Sequence, residues 1–268
     1  MPEKINLTGV NETMLVPLYA RAIESQKDNP EFIDKTAIKV MDNIDYNFKK
    51  RFKTSTNKMN FWGCSARTVI LDQETKKYIN KNPNATIINL ACGLDDRFTI
   101  VDNGQIRWYN IDFKNIISLR EKLIAKNERV RNIASSALDF QWINEIENKE
   151  NILIIAEGFL RYLNENEVEE LFNQISENFE NVELLIELMS KWMVKNQKAH
   201  DTIRTTGATF QWGIIESKDF EKLCPQYKII SDYNLTDKMK EYSPIFIRII
   251  SPFLRKRNNR IAKFKKIK

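Results

Sequence analysis

Residues 87–98, reading Ile87-Ile88-Asn89-Leu90-Ala91-Cys92-Gly93-Leu94-Asp95-Asp96-Arg97-Phe98, constrain this chain more than any other stretch. An apolar run of strand length drives into one glycine and is followed at once by acidic and basic side chains. A buried parallel strand delivers backbone to a ligand at its carboxyl end in this way. About twenty residues on, Arg107-Trp108-Tyr109-Asn110-Ile111-Asp112 ends a second strand candidate in an acid, the spacing of a carboxylate that grips a ribose diol. The two together imply an adenosine-containing cofactor. A dinucleotide is disfavoured, because only Gly93 lies in the turn and a pyrophosphate-binding loop carries more glycines to admit its ligand. A nucleoside cofactor without phosphates does not need them, and S-adenosylmethionine fits that description.

At 268 residues the chain can bury a full core without covalent staples, in one or two domains. No run approaches the ~18 apolar residues of a membrane span, and the start, Met1-Pro2-Glu3-Lys4-Ile5-Asn6, has no apolar secretory core. A cytoplasmic protein with no membrane partner is expected. Cys64, Cys92 and Cys224 are far apart and contain no C-x-x-C pair, so they read as free thiols. With His200 as the single histidine, a multi-histidine metal centre is impossible, and no metal is expected. The net charge of +6 gathers at the end, in Arg255, Lys256, Arg257, Arg260, Lys263, Lys265, Lys266 and Lys268. Such a tail could attract nucleic acid. Its alternation with Ile261, Ala262, Phe264 and Ile267 favours a solvated terminal strand with buried partners of its own.

The chain lacks repeats and Gly/Ser or Pro-rich linkers. Residues up to about position 81 read as helical, with apolar residues at helical spacing over 12–25 and 34–44, and Asp34 as a cap for the second. From residue 85 on, strands and helices alternate. Strands are expected at 87–91, 108–111, 132–135, 152–156 and 183–189, with the clearest helices at 115–126 and 165–179. That alternation implies a doubly wound, mostly parallel sheet. A helix near 218–223 and strands at 227–235 and 260–266 follow a polar segment at about 190–215, which ends in Phe210 and Trp212.

The blocks of this sequence resemble the leucine carboxyl methyltransferase family, and its bacterial branch of polyketide-type O-methyltransferases in particular. In family order they are Leu7-Thr8-Gly9-Val10-Asn11-Glu12-Thr13-Met14, Tyr19-Ala20-Arg21-Ala22-Ile23-Glu24-Ser25 and Ala66-Arg67-Thr68. Then come Asn89-Leu90-Ala91-Cys92-Gly93-Leu94-Asp95-Asp96-Arg97, Tyr109-Asn110-Ile111-Asp112-Phe113 and Ala137-Leu138-Asp139-Phe140-Gln141-Trp142. Ala156-Glu157-Gly158-Phe159-Leu160-Arg161-Tyr162-Leu163 and Phe210-Gln211-Trp212-Gly213 complete the set. The resemblance implies an α/β fold of the Rossmann-like Class I methyltransferase type. Its sheet would have seven strands with a late antiparallel pair, and residues 1–81 would form a helical cap on a core at 82–268. All of it would be one domain, with a substrate insertion at about 190–215.

The resemblance also assigns roles. Arg21 and Arg67 stand where the family sets a cation against the methionine carboxylate, for which a guanidinium fork is suited; the alternative for each is an ion pair within the cap. Ala91 and Gly93 form the turn, and Gly93 lets backbone approach the cofactor. Asp112, followed by Phe113, would accept the ribose hydroxyls; otherwise it caps the next helix. The family places an acid and then Leu over the adenine. Here that position holds Ser136 or Ala137, so Ala137, Leu138 and the slightly later Asp139 are the expected contacts. Glu157 follows a buried apolar strand and needs a partner: the methionine ammonium, or in the alternative an ion pair with Arg97 or Arg161.

Methyl transfer from a sulfonium to oxygen is an in-line displacement that needs alignment and a water-poor site more than acid–base chemistry. A carboxylate acceptor needs no base, whereas a hydroxyl would benefit from one. His200 is the candidate base, with a surface role as its alternative. Tyr162 and Trp212 are candidates for lining the acceptor pocket, or else for core packing. The leading expectation is a small-molecule O-methyltransferase acting on a carboxylate or hydroxyl. A protein C-terminal carboxyl methyltransferase is the second, and a nucleic-acid-binding protein using the basic tail is the third. No Asn-Pro-Pro-Tyr or Asp-Pro-Pro-Tyr sequence and no aromatic–basic stacking strip supports the third.

Overall fold

The computed structural model describes residues 2–5, 8–52, 55–199, 203 and 206–267, with 55–58 and 199 described by backbone alone. Its main sheet is built from β1 (Thr86–Leu90), β2 (Arg107–Asp112), β3 (Val130–Ala134), β4 (Ile152–Ala156), β5 (Val182–Leu188), β6 (Tyr227–Asn234) and β7 (Arg260–Lys266). The strand order is β3-β2-β1-β4-β5-β7-β6. The first five strands pair in parallel, and β7 runs antiparallel between β5 and β6. Every residue of β1 and of β4 is buried, which is why β4 reads as an unbroken apolar run and β1 as one interrupted only by Thr86 and Asn89. The chain leaves β1 towards β2 on one side and returns to β4 on the other. That reversal is a topological switch point, and it opens a crevice at the carboxyl ends of β1 and β4.

The two faces of the sheet are sorted by the period-2 alternation of a strand. Ile88, Leu90, Ile154, Leu184 and Ile186 pack with Val168, Leu171, Phe172 and Ile175 of helix α5 (Glu165–Asn178). Ile87, Leu153, Ile155 and Leu185 face the other way, onto Ile70, Leu71, Tyr78 and Ile79 of helix α3 (Ser55–Lys81) and Leu235 and Met239 of α7 (Leu235–Tyr242). Helix α3 therefore does not belong wholly to a cap, since its second half forms a layer of the sheet. Helices α1 (Leu15–Ser25) and α2 (Lys35–Asp42) build a third core around Leu15, Leu18, Ala22, Ala37 and Val40, and it includes Leu94 and Leu119 from the sheet domain. The expected helix over 12–25 is divided: Gly9–Met14 is a 3₁₀ turn that leads into α1. Asp34 caps α2 as anticipated, accepting from the Ala37 N–H at 2.7 Å.

Helices α4 (Lys114–Leu123) and α6 (Lys218–Leu223) stand where the periodicity puts helices. The segment after β5 leaves and returns at one point. Lys191 N–H donates to the Ile214 carbonyl at 2.7 Å, and Ile214 N–H donates to Met189 at 2.9 Å. An insertion closed at its base results, close to the expected 190–215. Helix α8 (Ile245–Arg255), which the strand-and-helix reading passed over, precedes β7.

Part of the basic C-terminal segment is built into the fold. Ile261, Ala262, Lys263 and Phe264 of β7 are buried. Arg260 pairs with Asp232 at 2.6 Å and Lys263 with Glu183 at 2.9 Å. Lys266 Nζ donates to the Ser176 and Phe179 carbonyls at the end of α5.

Candidate functional site

A cavity of about 640 Å³ occupies the switch point, within the range of ordinary ligand sites. Its floor is the turn after β1. Ala91 and Gly93 both take left-handed backbone, at φ 49° and 51°. Alanine tolerates that region poorly, so this turn is held by its surroundings. Asp112, at the tip of β2, accepts from the Gly93 N–H and from its own neighbour's Phe113 N–H, both at 2.8 Å. The carboxylate thus ties the glycine turn to β2 while lining the cavity. Burial raises the Asp112 carboxyl above its ordinary value, and the two N–H bonds oppose that rise.

The roof comes from the N-terminal segment. Met14 lies over the turn so closely that a Cβ on Gly93 would sit 3.3 Å from its Cβ. Arg21 is buried and lines the cavity. Its Nε reaches Asp34 at 2.9 Å and its Nη2 the Leu94 carbonyl at 3.1 Å. Tyr162 also lines the cavity, and its hydroxyl donates to Thr13 Oγ1 at 3.1 Å. Burial raises its phenol, so it stays protonated at neutral pH.

Behind the turn lies a buried network of arginines and acids. Arg67 bridges Glu157 at 2.6 Å and Glu187 at 2.7 Å. Arg97 holds Asp72 at 2.7 Å, and Asp95 and Glu157 at 2.8 Å each. Arg161 also pairs with Glu187, which further accepts from Gly158 N–H at 2.9 Å and Asn259 Nδ2 at 2.8 Å. Burial pushes the Glu157 carboxyl up, but Arg67, Arg97 and Arg21 pull it further down, to about 2. Glu187 is likewise held low: burial raises it, and Arg161 and Arg67 more than reverse the effect. Arg67 lines the cavity, while its Nε is buried without a hydrogen-bond partner.

Arg21, Arg67, Ala91, Gly93, Asp112, Phe113, Glu157 and Tyr162 are all brought to this one cavity. Ala137, Leu138 and Asp139 are not among its lining residues. Ala137 is buried and its carbonyl accepts from Trp142 Nε1 at 3.1 Å, whereas exposed Asp139 caps the 3₁₀ turn Phe140–Glu145. Each oxygen of Glu157 pairs with an arginine, Arg67 and Arg97, so its charge has partners within the protein. Of the two arginines expected as alternatives, Arg97 is one and Arg161 is not. Trp212 packs in the core with Ile214 and Phe220, not in the cavity wall. His200 lies outside the described residues. Sequence reasoning missed Glu187, although a lone acid in the run Leu184-Leu185-Ile186-Glu187-Leu188 is a readable signal, because a buried carboxylate demands a partner. It also missed Met14 and Asn259, which only the tertiary fold brings in.

The residues fit S-adenosylmethionine. A one-glycine turn, an acid at the tip of β2 and the buried cations Arg21 and Arg67 lining the same cavity match a ribose diol and a carboxylate. Sheet order and site together define an α/β protein of the Rossmann-like methyltransferase class. The sequence profile described as leucine carboxyl methyltransferase matches residues 15–176. The tetracenomycin polyketide synthesis O-methyltransferase TcmP of Streptomyces glaucescens is 31% identical over 238 residues, covering 88% of this chain and 87% of its own length. The S-adenosyl-L-methionine-dependent methyltransferase dpfgK of Gibberella zeae is 27% identical, covering 84% of this chain and 82% of that protein. In fold, a crystal structure from Thermobifida fusca, described as that of a methyltransferase, superimposes with a TM-score of 0.64 at 12% identity, covering 97% of this chain and 96% of that one. The chain belongs to the leucine carboxyl methyltransferase family. It is an S-adenosylmethionine-dependent methyltransferase.

Proposed function

We propose that the protein methylates an oxygen of a small, largely apolar molecule, with a carboxylate as the favoured acceptor group. The cavity carries this reading. It continues from the glycine turn to a second wall of Trp192, Met193, Leu235, Met239 and Leu254, which is roomy and apolar beyond what the cofactor needs. The kinship with an O-methyltransferase of polyketide synthesis points the same way.

In this reading Asp112 accepts the ribose hydroxyls, and Arg21 with Arg67 supplies the positive charge that attracts the methionine carboxylate. The Gly93 turn admits backbone against the nucleoside, and Phe113 lies beside it. When bound, the cofactor supplies an electrophilic methyl group on sulfur. The protein's part is to orient the acceptor and exclude water. Glu157 and Glu187 are fixed by arginines and held below the usual carboxylate range, which makes them weak bases. Tyr162 is protonated, with its O–H given to Thr13, so it cannot take the acceptor's proton. These features favour an acceptor that ionises unaided.

The test is methyl transfer from labelled cofactor to aromatic and aliphatic carboxylic acids, the matching phenols, and a peptide with a free C-terminus. Label should appear in small apolar acids, with phenols slower and gaining at alkaline pH. Label in the peptide alone would assign the protein-modifying activity instead.

A further inference from the structure

Helix α8 keeps its most apolar side chains in solvent. Ile245, Ile249 and Phe253 are 73%, 71% and 72% exposed, and Phe246 beside them 48%. Positions 245, 249 and 253 recur every fourth residue, so they form one stripe with Phe246 along the outer face, while Ile247 and Ser251 point inward. The polar flank of that stripe is cationic: Arg248 and Arg255 lie on the helix, followed by Lys256 and Arg257. From residue 243 to 268 the sequence has nine Lys and Arg and no Asp or Glu. On β7, Arg260, Lys263 and Lys266 are tied into the fold, as described above, whereas Lys265, Arg248, Arg255 and Lys256 are exposed, Arg255 while pairing with Asp237 at 3.0 Å. Trp192, 42% exposed, stands next to this region with Arg257 over its ring at 4.8 Å.

The charge selects what can cover the stripe. A second copy docking through a two-fold axis would set the same cationic flank against itself, a repulsive arrangement. A nucleic acid would satisfy the cations, but isoleucines offer it no stacking surface. An anionic bilayer satisfies both features at once, taking the apolar stripe at the level of its headgroups and acyl chains and the cations at its phosphates. We propose that α8 is an in-plane docking element for an anionic membrane surface. The expectation of no membrane partner rested on the absence of a span. An 11-residue one-sided helix needs none. Leu254 and Arg257 at the end of α8 line the cavity, so docking brings one cavity wall to the bilayer. On the reading of an apolar acceptor, that is where such a molecule partitions.

The experiment is flotation of the whole chain with unilamellar vesicles of phosphatidylcholine alone, or with about a third of the lipid replaced by phosphatidylglycerol. Binding is expected to the anionic vesicles only, and to weaken as salt rises. Ile249→Ser with Phe253→Ser should lower partitioning by about a hundredfold. Arg248→Glu with Lys256→Glu should abolish the preference for phosphatidylglycerol. The substituted side chains are exposed, so thermal midpoints and binding of S-adenosylhomocysteine should not change, which separates this result from any failure of the cofactor site. Absence of flotation with anionic vesicles would overturn the proposal. So would flotation indifferent to both pairs, or a dimer in solution that the Ile249 and Phe253 substitutions split.

Discussion

Glu157 looks like a ligand group in the sequence and behaves as a positioning group in the structure. Its oxygens fix Arg67 at 2.6 Å and Arg97 at 2.8 Å, so the Arg67 side chain, which lines the cavity, is held in place. Glu157→Gln should destabilise the fold by about 3 kcal/mol at neutral pH, because two buried cations lose part of their compensation. The pH dependence has a defined sign. The folded protein holds this carboxyl at about 2, below its ordinary 4.5, so its stabilisation is complete above about pH 4.5 and is lost as pH falls towards 2. Thermal midpoints across that window should fall for the parent chain and fall less steeply for the variant. Parallel curves would show that another group carries the acid limb. The sequence made the need for a partner legible, through an acid at the end of an apolar strand. It could not choose between ligand and protein, because Arg67 and Arg97 come from elements far apart in the chain.

The turn after β1 depends on elements that approach from opposite directions. Gly93 needs its left-handed φ of 51°, and the 3₁₀ turn at Gly9–Met14 closes over it with Met14. Gly93→Ala should cost about 1–2 kcal/mol of stability from backbone strain alone, and more if Met14 cannot yield. Thermal denaturation measures this, and an unchanged midpoint would mean the turn relaxes freely. The central strands were legible because burial on both faces leaves apolar runs such as Ile152–Ala156. Helix α8 was not. Its apolar stripe has helical spacing, but Pro252 within it masks the helical signal. The adenine contacts expected at Ala137, Leu138 and Asp139 rested on a family position that this chain fills differently, and here Asp139 serves as a cap.

For the whole molecule, the sheet order places the cofactor turn, the arginine network and the apolar wall around one crevice. Most of the α/β architecture followed from alternation along the chain, and the insertion after β5 from its change in polarity. The placement of β7 between β5 and β6 rested on resemblance, because a basic, alternating segment reads equally well as an edge. Cationic side chains satisfied within the fold, Lys266 on the carbonyls ending α5 among them, separate the structural part of the C-terminal charge from the exposed part on α8. On the proposed function, Asp112 is the carboxylate that joins the glycine turn to the ribose. Calorimetry with S-adenosylmethionine and its demethylated product tests it most directly. Both should bind the parent chain, and Asp112→Ala should weaken each by roughly 2–3 kcal/mol, the scale of charge-assisted hydrogen bonds lost together. Affinity unchanged by the substitution, or no heat with either nucleoside, would contradict the site described.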